Sequence, residues 1–201
     1  MEHFYESIHG WFTFPNLYRQ ITNICPDGSH FVEIGVWKGR SAAFMAVELI
    51  NSNKQIKFDC IDTWEGSEEH LDPNGDFFEE NLVNDRDWLY KHFLENIEPV
   101  KDSINPIRKA SLDAAGIYED ESLDFIFIDA SHDYENVLKD IQAWFPKAKP
   151  FTGVISGHDY SWCPEVKNAV HDFFDPLGLQ VQEQEGCWIV VKNTQMVWKT
   201  N

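Results

Sequence analysis

The sequence predicts an α/β fold in which a parallel sheet is flanked by helices, and three observations carry that prediction. Short runs rich in β-branched and aromatic residues alternate along the chain with apolar residues at helical three- and four-residue steps, the order expected of repeated strand and helix units. The stretch Phe31-Val-Glu-Ile-Gly-Val-Trp-Lys-Gly-Arg-Ser41 passes from an apolar strand through a glycine turn straight into a helical pattern. Acids follow three of the strand-like runs, at Asp62, Asp129 and Asp159, and the carboxyl ends of strands are where open α/β sheets collect their ligands.

The first strand falls at 31–34, an apolar run broken only by Glu33. Gly35 and Gly39 then permit a tight turn and a backbone that approaches a ligand without a Cβ in the way, and Ser41 caps or begins the helix at 42–50. The spacing Glu-x-Gly-x-x-x-Gly departs from the Gly-x-Gly-x-x-Gly that cradles a pyrophosphate, so a nucleoside bearing an amino acid suits this turn better than a dinucleotide. A plain strand-to-helix connection is the competing account. Further central strands fall at 56–61, 104–108, 125–129 and 153–156. Segment 63–84 is long, acidic and punctuated by Gly66, Pro73 and Gly75, which makes it either a lid beside the ligand end of the sheet or a solvated insertion. Its Trp64, Phe77 and Phe78 favour the lid. Leu89, Phe93 and Ile97 recur at four-residue spacing as the core face of a helix. The clearest helix is 134–145, where Tyr134, Val137, Leu138, Ile141, Trp144 and Phe145 share a face before Pro146 ends it. After Pro164, a residue suited to a helix start, Val166, Ala169, Val170, Phe173 and Phe174 repeat the pattern. Runs 179–184 and 187–192 make an antiparallel hairpin across Glu185-Gly186, and the tail after Lys192 is peripheral.

At 201 residues the chain suits a single domain, 1–201. Its formal net charge of −18 argues against nucleic-acid phosphates or anionic lipid as partners, since both draw on clustered Lys and Arg. No stretch of about twenty apolar residues occurs and the N-terminus lacks a basic leader with an apolar run, so neither a membrane span nor secretion is expected. The cysteines at 25, 60, 163 and 187 form no Cys-x-x-Cys pair. Reduced thiols and a cytoplasmic setting are expected from that usage.

Asp62 closes the second strand about twenty to thirty residues past the glycine turn, where a doubly wound sheet places the acid that takes ribose hydroxyls. Capping the start of a loop is its alternative role. Asp129 and Asp159 end two later strands, and two carboxylates meeting in one small site repel unless a proton or a cation intervenes. Oxygen-rich ligation of that kind suits Mg²⁺. The alternative for Asp129 is to cap the helix that follows it. His132, three residues beyond Asp129, carries an imidazole whose pKa suits proton transfer near neutral pH, with a solvated loop histidine as the bland account.

The segments 31–41, Asp62-Thr63-Trp64, Phe125-Ile-Phe-Ile-Asp129-Ala-Ser-His132-Asp-Tyr134 and Gly153-Val-Ile-Ser-Gly-His158-Asp159-Tyr160 together resemble the class I S-adenosylmethionine-dependent methyltransferases. More narrowly they resemble the metal-dependent branch that includes the macrolide-sugar O-methyltransferases and the cephalosporin hydroxylase-like proteins. The likeness runs from about Gly10 to Lys192, and the order and spacing of the motifs are more specific than any one of them. It implies a Rossmann-like fold with a mostly parallel seven-stranded sheet, an antiparallel last strand and helices on both faces. It also implies S-adenosylmethionine as cofactor, with Glu33, Gly35 and Gly39 beside its amino-acid part, Ser41 at the helix start, Asp62 on the ribose, and Ser111 and Leu112 near the adenine. By the same resemblance Asp129 and Asp159 match acidic metal ligands and His132 stands in the place of the general base. His158 occupies the position of a third acid, and an imidazole there inclines the site from Mg²⁺ toward Mn²⁺, Fe²⁺ or Zn²⁺. The opening piece Ile8-His-Gly-Trp11-Phe12 resembles the family's N-terminal segment, which often covers the active site.

The activity expected is methyl transfer to a hydroxyl of a small molecule, a sugar or a phenol- or catechol-like group, assisted by Mg²⁺ or another divalent cation. A hydroxylase-like role on the same fold and a non-catalytic cofactor-binding scaffold remain alternatives. A homo-oligomer is compatible with the sequence.

Overall fold

The computed structural model describes residues 1–75 and 77–193, so the tail expected after Lys192 lies almost wholly outside the described residues. Seven strands form one sheet: β1 His30–Ile34, β2 Lys57–Asp62, β3 Asn105–Arg108, β4 Phe125–Ile128, β5 Val154–Gly157, β6 Gln182–Gln184 and β7 Cys187–Val191. They lie in the order β3-β2-β1-β4-β5-β7-β6. The first five pair in parallel, and β7 runs antiparallel to both β5 and β6. A mostly parallel sheet with an antiparallel last strand is therefore what the chain forms.

Alternation along each strand sends neighbouring residues to opposite faces. Phe31, Phe58, Phe125 and Phe127 pack on one face against α1 (Pro15–Ile24), α2 (Arg40–Ser52) and the helix bearing Leu89, Phe93 and Ile97. Val32, Ile34, Ile126, Ile128 and Ile155 pack on the other, where the later helices supply Val137, Ile141, Trp144, Val166 and Val170. Two short helices, α3 (Glu68–Leu71) and α4 (Glu80–Asn84), punctuate the predicted lid, followed by α5 (Trp88–Ile97), α6 (Ser111–Ala115), α7 (Tyr134–Trp144) and α8 (Pro164–Phe174). Among the described residues no helix is long and apolar enough to cross a membrane.

The differences from expectation have local causes. Strand β6 is shorter than 179–184 because Leu179 is tied back to the end of α8, its N–H donating to the Phe174 carbonyl at 3.2 Å while its side chain enters the core. Ser41 does not cap α2, since left-handed Gly39 holds that place and Ser41 falls in the first turn. Trp64 is no lid residue: it is fully buried against Phe93, whereas Phe77 and Phe78 are exposed.

Candidate active site

The crevice opens between the ends of β1 and β4, the point at which connections leave the sheet in opposite directions. The Gly35 N–H donates to the Ile61 carbonyl at 2.9 Å and the Asp129 N–H to the Ile34 carbonyl at 2.7 Å, so three strand ends are sewn together. A Cβ on Gly35 would run into the backbone of Asp129 and Ala130, and its φ of +82° favours glycine as well. Glycine at 39 answers to packing, because a Cβ there would come within 2.9 Å of the Phe93 ring. Asp62 locks the turn: Oδ2 accepts from the N–H groups of Val36 and Trp37 at 2.8 and 2.9 Å, and Oδ1 from Trp64 at 2.8 Å. The loop-organising role of Asp62 is thus real, and a carboxylate with about four acceptor positions still has one to offer.

A cavity of about 960 Å³ follows from this arrangement. Gly35, Ser41, Asp62, Ser111, Leu112, Asp129, His132, His158 and Asp159 all line it. Glu33 and Gly39 lie behind that wall. Glu33 is fully buried, accepts a short hydrogen bond from the Ser41 hydroxyl and leaves Oε2 without a hydrogen bond. Burial, reinforced by the nearby Asp129 charge and opposed by the Ser41 hydroxyl, pushes its pKa up to about 8.

At one end of the cavity the ligand atoms of Asp129, His158 and Asp159 lie within 4.8 Å of one another. Asp159 adopts a left-handed φ of +62°, a conformation uncommon for a residue other than glycine. Its Oδ2 is 2.9 Å from His132 Nε2, and its Oδ1 is 3.3 Å from His158 Nδ1 and accepts from the Trp162 indole at 2.5 Å. The two carboxylates divide electrostatically. Burial and the Asp159 charge raise Asp129 to about 6 against the pull of His158, while bonds from both imidazoles hold Asp159 well below the ordinary range despite its burial. Asp129 does not cap α7, because Asp133 does so by accepting from the Asn136 N–H at 3.1 Å.

At the other end Ser111 donates to Asp140 Oδ1 at 2.5 Å and accepts from the Trp144 indole at 2.9 Å. Asp140 was not anticipated, although it lines the cavity and its pKa is pushed up to about 6 by burial. As a polar residue on a buried helix face it is the kind of break in a periodic pattern that signals a site. Thr13 and Trp162 were not singled out as site residues either, whereas Trp11 belongs to the opening segment expected to cover the active site. The opening segment does reach the cavity, where Trp11 meets Phe77 of the 63–84 segment edge to face at 5.6 Å. That segment therefore forms part of the rim.

Residues 32–160 match the methyltransferase-domain family. Among solved structures, the O-methyltransferase NovP is similar over 90% of this chain and 79% of its own, with a TM-score of 0.66 at 16% identity. Cofactor-bound Rv0187 from MTB is similar over 95% and 87%, with a TM-score of 0.61 at 13% identity. A SAM-dependent O-methyltransferase from Thermotoga maritima is similar over 94% and 69%, with a TM-score of 0.60 at 13% identity. No curated protein matches the sequence. With the glycine turn, the strand-end acids and the family match falling on the same residues, the chain belongs to the methyltransferase-domain family and is an S-adenosylmethionine-dependent methyltransferase of Rossmann-like fold.

Proposed function

We propose that this enzyme methylates a hydroxyl of a small molecule, a sugar or a phenol- or catechol-like group, with a divalent cation held by Asp129, His158 and Asp159. The observation that carries the reading is the convergence of two carboxylates and two imidazoles at one end of a cavity whose other features are the glycine turn and Asp62. The donor set fits a cation. Two carboxylate oxygens and one imidazole nitrogen make a set that Mg²⁺ tolerates and Mn²⁺ or Fe²⁺ prefers. Bound there, a cation would supply Lewis-acid polarisation of the acceptor oxygen, and bound S-adenosylmethionine supplies an electrophilic methyl on its sulfonium.

The chain's own residues do the rest. The Gly35 turn and Ser41 border the space for the amino-acid part of the cofactor, with Glu33 buttressing Ser41 from behind. Asp62 offers its remaining lone pair to a ribose hydroxyl, and Ser111, Leu112 and Asp140 border the adenine. Holding acceptor and methyl donor in line removes much of the entropic part of the barrier. His132, whose Nε2 lies 2.9 Å from Asp159, takes the acceptor proton, and the Asp159 carboxylate favours the imidazolium so formed. Trp11 and Phe77 screen the mouth from water.

Turnover with S-adenosylmethionine carrying a deuterated methyl, over a panel of sugars, phenols and catechols, tests this reading. The expected product gains one labelled methyl on oxygen, and activity disappears in EDTA and returns with Mg²⁺ or Mn²⁺. An oxygenated product would overturn the transfer assignment, and full turnover in EDTA would remove the cation.

A further inference from the structure

We infer that Thr13 is a positioning residue that fixes the tautomer and orientation of His158 and so tunes which cation the site prefers; the inference rests on the reading of Asp129, His158 and Asp159 as cation ligands. The ring of His158 is buried and its nitrogens face opposite ways. Nδ1 looks to the carboxylates, 3.3 Å from Asp159 and 3.8 Å from Asp129. Nε2 lies 3.0 Å from the Thr13 hydroxyl. That hydroxyl also lies 3.4 Å from the main-chain carbonyl of Glu185, a group that can only accept.

A hydroxyl has one proton and two lone pairs. With its proton directed to Glu185, the Thr13 oxygen is an acceptor toward His158, so Nε2 carries a ring hydrogen, and Nδ1, which otherwise bonds Asp159, is the nitrogen left to give its lone pair to a cation. This is the tautomer that a ligating imidazole needs, and a hydrogen-bond partner on the opposite nitrogen is how such rings are generally held.

The segment bearing Thr13 is itself clamped. The Glu185 carboxylate accepts from the N–H groups of Asn16 and Leu17 at 3.0 and 3.1 Å and from the Asn16 amide at 2.7 Å, pinning the start of α1 to the turn between β6 and β7. Phe14 packs its ring on His158 at 4.9 Å. From the hairpin side, Trp162 covers Gly186 and meets the His158 ring edge to face at 5.0 Å. The opening segment therefore does more than cover the cavity: it supplies the outer partner of one member of the cluster. An imidazole fixed in this way adds more to Mn²⁺ affinity than to Mg²⁺ affinity, because nitrogen donors favour the transition ion.

Direct binding of Mn²⁺ by electron paramagnetic resonance, with Mg²⁺ measured by competition and S-adenosylhomocysteine present, tests the inference on the wild type, Thr13→Val, Thr13→Ser and Asp129→Asn. Thr13→Val keeps the shape but leaves a buried Nε2–H without an acceptor. Its Mn²⁺ affinity should fall about 10- to 100-fold and the ratio of Mn²⁺ to Mg²⁺ affinity should shrink, with Thr13→Ser restoring both. A merely looser fold would weaken both ions together and leave their ratio unchanged, and that result overturns the inference. Wild-type affinity in Thr13→Val, or no recovery in Thr13→Ser, overturns it too, while a loss in Asp129→Asn would keep the cluster as the ligand set. If the wild type binds neither ion, the cation reading and this inference fall together.

Discussion

His132 and Glu33 show how differently single residues can serve one site. His132 is partly exposed and bonded to Asp159, and the proposed function gives it the acceptor proton. His132→Ala should lower the rate by about 10²–10⁴ while sparing cofactor affinity, as single-turnover and binding measurements would show. Near-normal turnover would return it to the surface. Glu33 is the reverse case, fully buried and held near a pKa of 8 from an ordinary 4.5. The folded state keeps a proton that the unfolded chain releases above about pH 4.5. Its contribution is therefore present below that pH and is lost as pH rises toward 8. Glu33→Gln, measured by urea unfolding without cofactor, should match the wild type near pH 4.5 and gain on it steadily up to pH 8. Parallel pH profiles would mean that Glu33 ionises normally in the folded protein.

At the scale of elements, the glycine turn ties the site to the packing behind it. Gly39 combines a φ of +85° with a Cβ position 2.9 Å from Phe93, so Gly39→Ala should destabilise by about 1–3 kcal/mol through overpacking, with added backbone strain. A thermal melt unchanged by the substitution would show that α5 yields freely. Strands β1 and β4 were legible to within a residue because burial on both faces writes them as apolar runs, continuous in β4 and, after His30, broken in β1 only by Glu33. The helices bearing Val137 and Val166 were legible from their periodicity. Helix α1 was not, since no neighbouring side chain caps it: the Glu185 carboxylate, far away in sequence, takes its first N–H groups. Trp64 misled because an aromatic between a strand and an acidic loop carries no sign of which side it falls on. Its indole donates inward to the Trp37 carbonyl at 3.0 Å.

Across the whole molecule, the acids at strand ends were readable because the parallel topology must bring those ends together. What was not readable is which residues from distant segments complete the cluster. Thr13 and His158 meet across 145 positions, and nothing local to either predicts the pair. The net charge of −18 gives the molecule a field that favours cations, yet only at Asp129, His158 and Asp159 do the described residues gather ligand atoms within 4.8 Å. The central claim is that this gathering is a cation site facing the methyl donor. The most direct measurement is anomalous diffraction from crystals grown with S-adenosylhomocysteine and Mn²⁺. The account predicts one Mn²⁺ peak within bonding distance of Asp129, His158 and Asp159, on the cavity side facing the cofactor sulfur; a fully occupied cofactor with no peak among those three residues would contradict it.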